Sequence, residues 1–392
     1  MESEITLKEK KDLRLLVDAH VFDGMFQGTR TFLKGIYSTL DTAKYNITVF
    51  LVAANIKNLK DEFSGIPNIE FIRLRSTNKF VRLAYEIPKI IRKLNIDYAH
   101  FNYYLPLFLN KNCKFIVTIH DVLFLDYPNY FPKSYYFKNK ILFRHAAKKA
   151  DILTSVSNYA ADRIKNKFNL PDKAITILPN AVDQEFKIYE DKKVSQHYIK
   201  EKYGISNFFV YVSRIEPRKN HIALLEMYEK LSLWNRNIQL VFIGKMDIED
   251  ESFIAKYNSL VKKSNGRVFH LTGIGFKDLK SFYNAALVAF FPSLCEGFGI
   301  PPLESAVMKT PTICSNLTAM EEFNFFGKYH IDPRDKNIFN RKVMSMLEEI
   351  GEGNQQSSLS NISSAIINKY DWNKTSEILA QTIILHSNQK ST

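Results

Sequence analysis

The chain has 392 residues, 45% hydrophobic and 24% charged, a globular composition with room for two or three domains. Its three cysteines, Cys113, Cys295 and Cys314, are scattered without a Cys-x-x-Cys pair, which excludes a disulfide scaffold or a zinc ribbon and points to a reducing compartment. The net charge of +13 is enough to attract an anionic partner.

Residues 1–12 are dense in charge and lack an apolar run, so they are not read as a signal peptide. Strands are predicted at 13–19, 47–51, 69–73, 98–101, 115–119, 152–155 and 175–178, with helical patterns around 30–40, 80–94, 134–150 and 157–168. Apolar strands alternating with helices predict βαβ units on a parallel sheet covered on both faces. In 80–94 the spacing puts Phe80, Leu83, Ala84, Ile87, Ile91 and Leu94 on the inner face, and Arg82, Lys89, Arg92 and Lys93 elsewhere. In 134–150, Tyr135, Tyr136, Ile141 and Leu142 stand against Lys138, Lys140, Arg144, Lys148 and Lys149. Residues 79–149 hold 13 basic and 4 acidic side chains. They read either as solvated amphipathic helices or as a surface for acidic lipid headgroups, a phosphorylated acceptor or nucleic acid.

The pattern closes at 179–183 and restarts after a charged linker with a short helix at 184–206. New strands are predicted at 208–212, 239–243, 268–271, 287–291 and 312–315. Helices are predicted at 220–233, 251–264, 276–285 and 301–308, the first capped by Asn220. Residues 354–361 read as a polar turn, and 362–386 as two helices broken near Asp371-Trp372. The apolar stretch 285–291 is too short to cross a bilayer. The expectation is two doubly wound domains in series with a cleft between them, ligands lying beyond the carboxyl ends of the strands.

The densest chemistry runs from Pro292 through Cys295-Glu296-Gly297-Phe298-Gly299-Ile300-Pro301-Pro302 to Glu304. It follows a strand, turns on two glycines, and enters a helix whose prolines suit the first turn. Backbone amides and a helix N-terminus suit a phosphate group. A carboxylate such as Glu304 accepts from vicinal hydroxyls, although it also suits a helix first turn electrostatically. Cys295 has no histidine near it in sequence, which disfavours a nucleophilic role. Ser213-Arg214-Ile215-Glu216-Pro217-Arg218-Lys219-Asn220 sits between a strand and a helix, with Arg214 and Lys219 placed to neutralise a diphosphate. In the first half, Val117-Thr118-Ile119-His120-Asp121 ends a strand in His-Asp. The loop Asp23-Gly24-Met25-Phe26-Gln27-Gly28-Thr29-Arg30 has the same topological position, and Gly28 is a weaker phosphate candidate.

Together these residues resemble a retaining glycosyltransferase of family 4 with the GT-B fold, in its mannosyltransferase-like style, over nearly the whole chain. The carriers are Thr272-Gly273, Phe291-Pro292-Ser293, the E-x7-E pair Glu296 and Glu304, the basic pair Arg214 and Lys219, His120-Asp121, Pro179-Asn180-Ala181-Val182-Asp183 and Tyr370-Asp371-Trp372. Ser213, Ala181 and Lys309 depart from it, each standing where the family has glycine. The resemblance implies an α/β fold of two Rossmann-like domains facing a central cleft, with a C-terminal helix crossing back to the first. The expected boundaries are 1–190 for the acceptor side, 191–370 for the donor side and 371–392 for the returning helix.

It implies transfer of a hexose from a nucleoside-diphosphate sugar, GDP-mannose first, to a hydroxyl of a glycan or lipid-linked oligosaccharide. His120 and Glu296 would be catalytic. Gly28, Arg214, Lys219, Ile274, Gly297, Phe298, Gly299, Ile300 and Glu304 would hold the donor. No metal, cofactor or nucleic acid is expected, since no carboxylate neighbours Asp121 or Asp126 at ligand spacing. The expected location is cytoplasmic and peripheral at the inner membrane face, residues 79–149 being the candidate anionic-membrane surface. Two other readings stay open: a GT-B epimerase acting on a nucleotide sugar alone, and a basic nucleic-acid-binding protein, for which no recognised module is present.

Overall fold

The structure is a computed structural model that describes residues 12–24, 28–106, 109–188, 190–246, 250–353 and 355–388. The charged start of the chain up to residue 11, and Met25, Phe26 and Gln27 of the first glycine loop, lie outside the described residues. The chain forms two compact units. The first takes the described residues up to 125, then 131–180 and those from 372 on; the second takes 126–130 and 181–371.

The first unit holds β1 (Leu13–Asp18), β2 (Ile47–Ala53), β3 (Ile69–Arg73), β4 (Tyr98–Asn102), β5 (Lys114–Thr118), β6 (Ile152–Ser155) and β7 (Ile175–Ile177). They form one parallel sheet in the order β3-β2-β1-β4-β5-β6-β7. β1, β2, β4, β5 and β6 are almost wholly buried, the mark of a sheet covered on both faces. One face packs Leu16, Phe50, Phe101 and Val117 against Ile87, Ile91, Phe143 and Ala146. On the other side the Gly28–Thr39 helix meets the final helix, Trp372–Asn388. Phe32 lies edge-on to Trp372 with ring centroids 6.4 Å apart, and Thr39 Oγ1 donates to Trp372 O at 3.0 Å.

The second unit holds β8 (Phe208–Val212), β9 (Gln239–Ile243), β10 (Val268–Leu271), β11 (Val288–Phe291), β12 (Thr312–Ser315) and β13 (His330–Ile331). Their order is β10-β9-β8-β11-β12-β13, again parallel. β13 is two residues long, too short to leave a sequence signal.

Three expectations need correction. The 80–94 segment is not one regular helix. It runs as Lys79–Val81, a π turn over Arg82–Glu86, and Ile87–Lys93. Pro88 supplies no N–H to the ladder, and the extra residue of the π turn rotates the phase. Phe80 is therefore 68% exposed while Arg82 is 4% exposed. In the Lys133–Lys149 helix the buried stripe is Asn139, Phe143, Ala146 and Ala147, and Ile141 faces solvent at 70% exposure. Small alanines let this helix sit close to the sheet, a packing that a hydrophobicity pattern does not favour. Finally, 356–361 is no turn but the start of the Gln356–Lys369 helix.

Candidate active site

In the second sheet the connections from β8 and β11 leave toward opposite faces, so a crevice opens beyond their carboxyl ends. Two loops flank it, 213–220 after β8 and 292–299 after β11. Leu294 N donates to Arg218 O at 2.8 Å, and Asn220 Nδ2 donates to Pro292 O at 3.1 Å. Tyr211, at the end of β8, donates its hydroxyl to Lys219 O at 2.7 Å. Asn220 does occupy the N-cap position of the His221–Lys230 helix, but at φ 59° and without a side-chain cap bond. Its amide joins the loops instead of capping.

Glu296 stands at the centre of this stitching. One carboxylate oxygen pairs with Lys219 Nζ and the other with Arg218 at 3.0 Å. Its N–H donates to Thr318 Oγ1 at 2.9 Å. Arg218 also reaches Glu216 Oε2 at 2.7 Å. Burial on its own would raise the Glu296 carboxyl, but the charges of Lys219 and Arg218 outweigh it and hold the group down at about 2. Burial in turn pushes the Lys219 ammonium down, against the pull of Glu296. Arg214, by contrast, has a side chain 57% exposed, with Nε 3.3 Å from Glu216 Oε1. The arginine that touches Glu296 is thus Arg218, to which the sequence pattern gives no role.

Gly299 ends the loop at φ 103°, ψ 75° and caps the Ile300–Val307 helix. A Cβ there would lie 3.0 Å from Met320 Cγ in a backbone conformation that side chains rarely adopt, so glycine is required. Pro301 and Pro302 occupy the first turn, where missing N–H groups cost nothing. Phe298 turns inward onto Phe323 and Tyr370, with centroids 5.7 Å and 5.4 Å away. Gly297, Phe298, Gly299 and Ile300 are thereby fixed as one turn leading into a helix whose first amides have no intrahelical acceptor. Glu304 lies one turn further on, half-buried, accepting from the Tyr283 hydroxyl at 3.2 Å. Burial raises its carboxyl to about 7; the Tyr283 bond opposes this and the charge of Asp183 adds to it. Ile274 is partly buried in the loop between β10 and the Phe276–Ala285 helix.

The first sheet has its own switch point, between β1 and β4. His120 lies just past β5, buried, with Nε2 2.9 Å from Asn102 Oδ1 and its ring edge-on to Phe32 at 4.8 Å. Burial, then the neighbouring His100, push its imidazole down to about 3, so it is neutral at physiological pH. Asp121 accepts from Leu123 N at 3.2 Å. Gly28 begins the Gly28–Thr39 helix and is exposed, with no atom near enough to demand glycine. Among the described residues no three His, Cys, Asp or Glu side chains converge as a metal-ligand set, and no helix is long and apolar enough to cross a membrane.

Comparison with known proteins matches both units. The family "Glycosyltransferase Family 4" matches residues 26–186 and "Glycosyl transferases group 1" matches residues 194–361. The chain is similar to O-antigen chain mannosyltransferase B of Escherichia coli, 26% identical over 251 residues, or 63% of this chain and 64% of that protein. The match therefore spans a little under two thirds of that relative's length. Among solved structures, a glycosyltransferase from Rickettsia africae superimposes with a TM-score of 0.70 at 18% identity, covering 96% of this chain and 98% of that one. Anabaena HepE in complex with UDP and glucose does so with a TM-score of 0.69 at 14% identity, covering 95% and 99%. The fold is the GT-B type of two Rossmann-like sheets.

Proposed function

We propose, from the premise that this chain belongs to glycosyltransferase family 4, that it moves a hexose from a nucleoside-diphosphate sugar to a hydroxyl of a glycan or lipid-linked oligosaccharide, with retention. One observation carries the reading: the Arg218–Lys219–Glu296 cluster stands on the β8/β11 crevice, and the same loop leads through Gly299 to Glu304. The bond from the anomeric carbon to the diphosphate breaks, and the acceptor oxygen joins that carbon on the same face. The hydroxyl proton leaves with the diphosphate. Lys219, Arg218 and Arg214, with the amides of 297–300, meet the negative charge that grows on the leaving group. Glu296, ionised at any physiological pH, offsets positive charge on the sugar ring. Glu304 accepts from the ribose hydroxyls, and Ile274 lies by the base. His120 offers a neutral imidazole to a sugar hydroxyl.

A structural neighbour bound to UDP and glucose supports a nucleotide-sugar donor. A relative named as a mannosyltransferase supports mannose, and GDP-mannose is the first donor to try. The basic, partly apolar surface within 79–149 supports an acceptor at the cytoplasmic face of a membrane. The test is a thermal-shift screen with UDP, GDP and ADP sugars, followed by transfer assays. Lys219→Ala and Glu304→Ala are each expected to lower kcat/KM about a hundredfold. Near-wild-type rates in both would overturn the donor assignment.

A further inference from the structure

The first unit carries a knot of charge at the carboxyl end of β1 that the donor reading does not use. Asp18 is 3% exposed and Arg82 4% exposed. Arg82 Nε lies 3.3 Å from Asp18 Oδ2, yet this buried donor makes no hydrogen bond. His20 takes the other side of the carboxylate, its Nδ1 3.2 Å from Asp18 Oδ1. Lys79 Nζ sits over the Tyr104 ring, 2.7 Å from the centroid. Lys138 and Arg82 repel it and Asp18 attracts it. Burial first, then those two cations, push the Lys79 ammonium down to about 7.

Two cations, Arg82 and Lys79, therefore act on one carboxylate, with Lys138 near enough to repel Lys79 and a buried guanidinium N–H left without an acceptor. Buried donors and charges are costly unless matched. Phosphate oxygens supply both the charge and the acceptors. The surroundings narrow the class further. Phe80, next to Lys79, is 68% exposed, and Phe137, next to Lys138, is 65% exposed. Tyr85 at 61% and Ile141 at 70% extend the apolar surface. Large apolar side chains left in water beside a cluster in which cations outnumber the one carboxylate suit an amphiphile rather than a free inorganic ion.

We propose that Lys79, Arg82 and Lys138 form a binding site for the phosphate or diphosphate of a lipid-linked acceptor, with its hydrocarbon along Phe80, Tyr85, Phe137 and Ile141. The inference rests on the glycosyl-transfer reading and specifies its acceptor. Lys140 and Lys148, on the same helix, are assigned to general attraction by anionic lipid and not to this site.

The test is calorimetric titration of the whole chain with farnesyl diphosphate, with farnesol as the uncharged control and phosphatidylglycerol vesicles as bulk anionic lipid. Lys79→Met keeps the stem over Tyr104; combined with Lys138→Ala it is expected to weaken farnesyl diphosphate about tenfold or more. Lys138→Ala alone, at an exposed position, is expected to cost about threefold. Lys140→Ala with Lys148→Ala is expected to weaken the vesicles and spare farnesyl diphosphate. Unchanged farnesyl diphosphate affinity in the Lys79→Met, Lys138→Ala variant overturns the site. So does loss in Lys219→Ala, which would place the diphosphate in the β8/β11 crevice, and so does equal loss in the Lys140→Ala, Lys148→Ala variant, which would make the surface unspecific. A chain that binds farnesyl diphosphate but is stabilised by no nucleotide sugar fails the donor reading alone; the reverse result fails this one alone.

Discussion

Glu296 and Glu304 carry the same functional group, and their surroundings make them opposites. Glu296 is held ionised by two cations, and Glu304 is enclosed with a tyrosine hydroxyl. Their pH signatures therefore run in opposite directions. The Glu296 carboxyl is lowered from 4.5 to about 2, so its stabilisation is present above pH 4.5 and is lost as pH falls toward 2. Glu296→Gln leaves the enclosed Lys219 without its carboxylate, while Arg218 keeps Glu216, and is expected to cost about 3 kcal/mol. In urea unfolding, the gap between wild type and variant should close on acidification; a gap independent of pH would contradict this account. The Glu304 carboxyl is raised to about 7, and only its ionised form accepts from two hydroxyls. Donor KM is then expected to fall from about pH 6 to about pH 8 and to be flat in Glu304→Gln; the same slope in the variant would remove Glu304 from the ribose. The placement of Glu296 in its loop and of Glu304 one turn into the next helix was legible in the sequence because glycines and prolines punctuate that loop, and the placement of Lys219 because its loop joins a strand to a helix. The contact of Arg218 with Glu296 was not, since Arg214 and Arg218 look alike until the loop's fold turns Arg214 onto Glu216 and Arg218 onto Glu296.

Elements show where pattern reading fails. Strand positions were legible because buried parallel strands are short apolar runs bounded by turns. The 79–93 stretch was not, because one proline and one π turn change which residues share a face. That error hid Arg82, whose burial only a correct phase would reveal. Backbone conformation accounts for one of the departures from the family pattern. Lys309 takes φ 61° just past the Ile300–Val307 helix, a left-handed position where glycine is easiest. Lys309→Gly is expected to stabilise by about 1 kcal/mol in thermal unfolding; a destabilised variant would mean that the lysine side chain outweighs its backbone cost. At the start of the same helix the sign reverses. Gly299→Ala must take φ 103° and crowd Met320, and is expected to lose about 1–2 kcal/mol and to weaken nucleotide binding with it. Unaltered binding there would separate the turn from the donor.

At the scale of the whole molecule, the restart of the strand–helix pattern near residue 208 was enough to announce two sheets, since each needs its own core. What the sequence could not show is how intimately the last helix belongs to the first sheet. A Cβ on Gly35 would meet the Trp372 ring at 2.2 Å, so helix and tryptophan are fitted to one another at backbone distance. Trp372→Ala is expected to cost about 3–5 kcal/mol, and Gly35→Leu to destabilise at least as much, both read by denaturant midpoint. If Trp372→Ala unfolds at the wild-type midpoint, the helix is an accessory and not part of the core. Because 372–388 completes a unit begun at residue 12, translation order matters. A nascent chain exposes the Phe32 side of its first sheet until the second unit has left the ribosome. A message stalled in the second unit therefore leaves the first sheet without the helix that packs on Phe32.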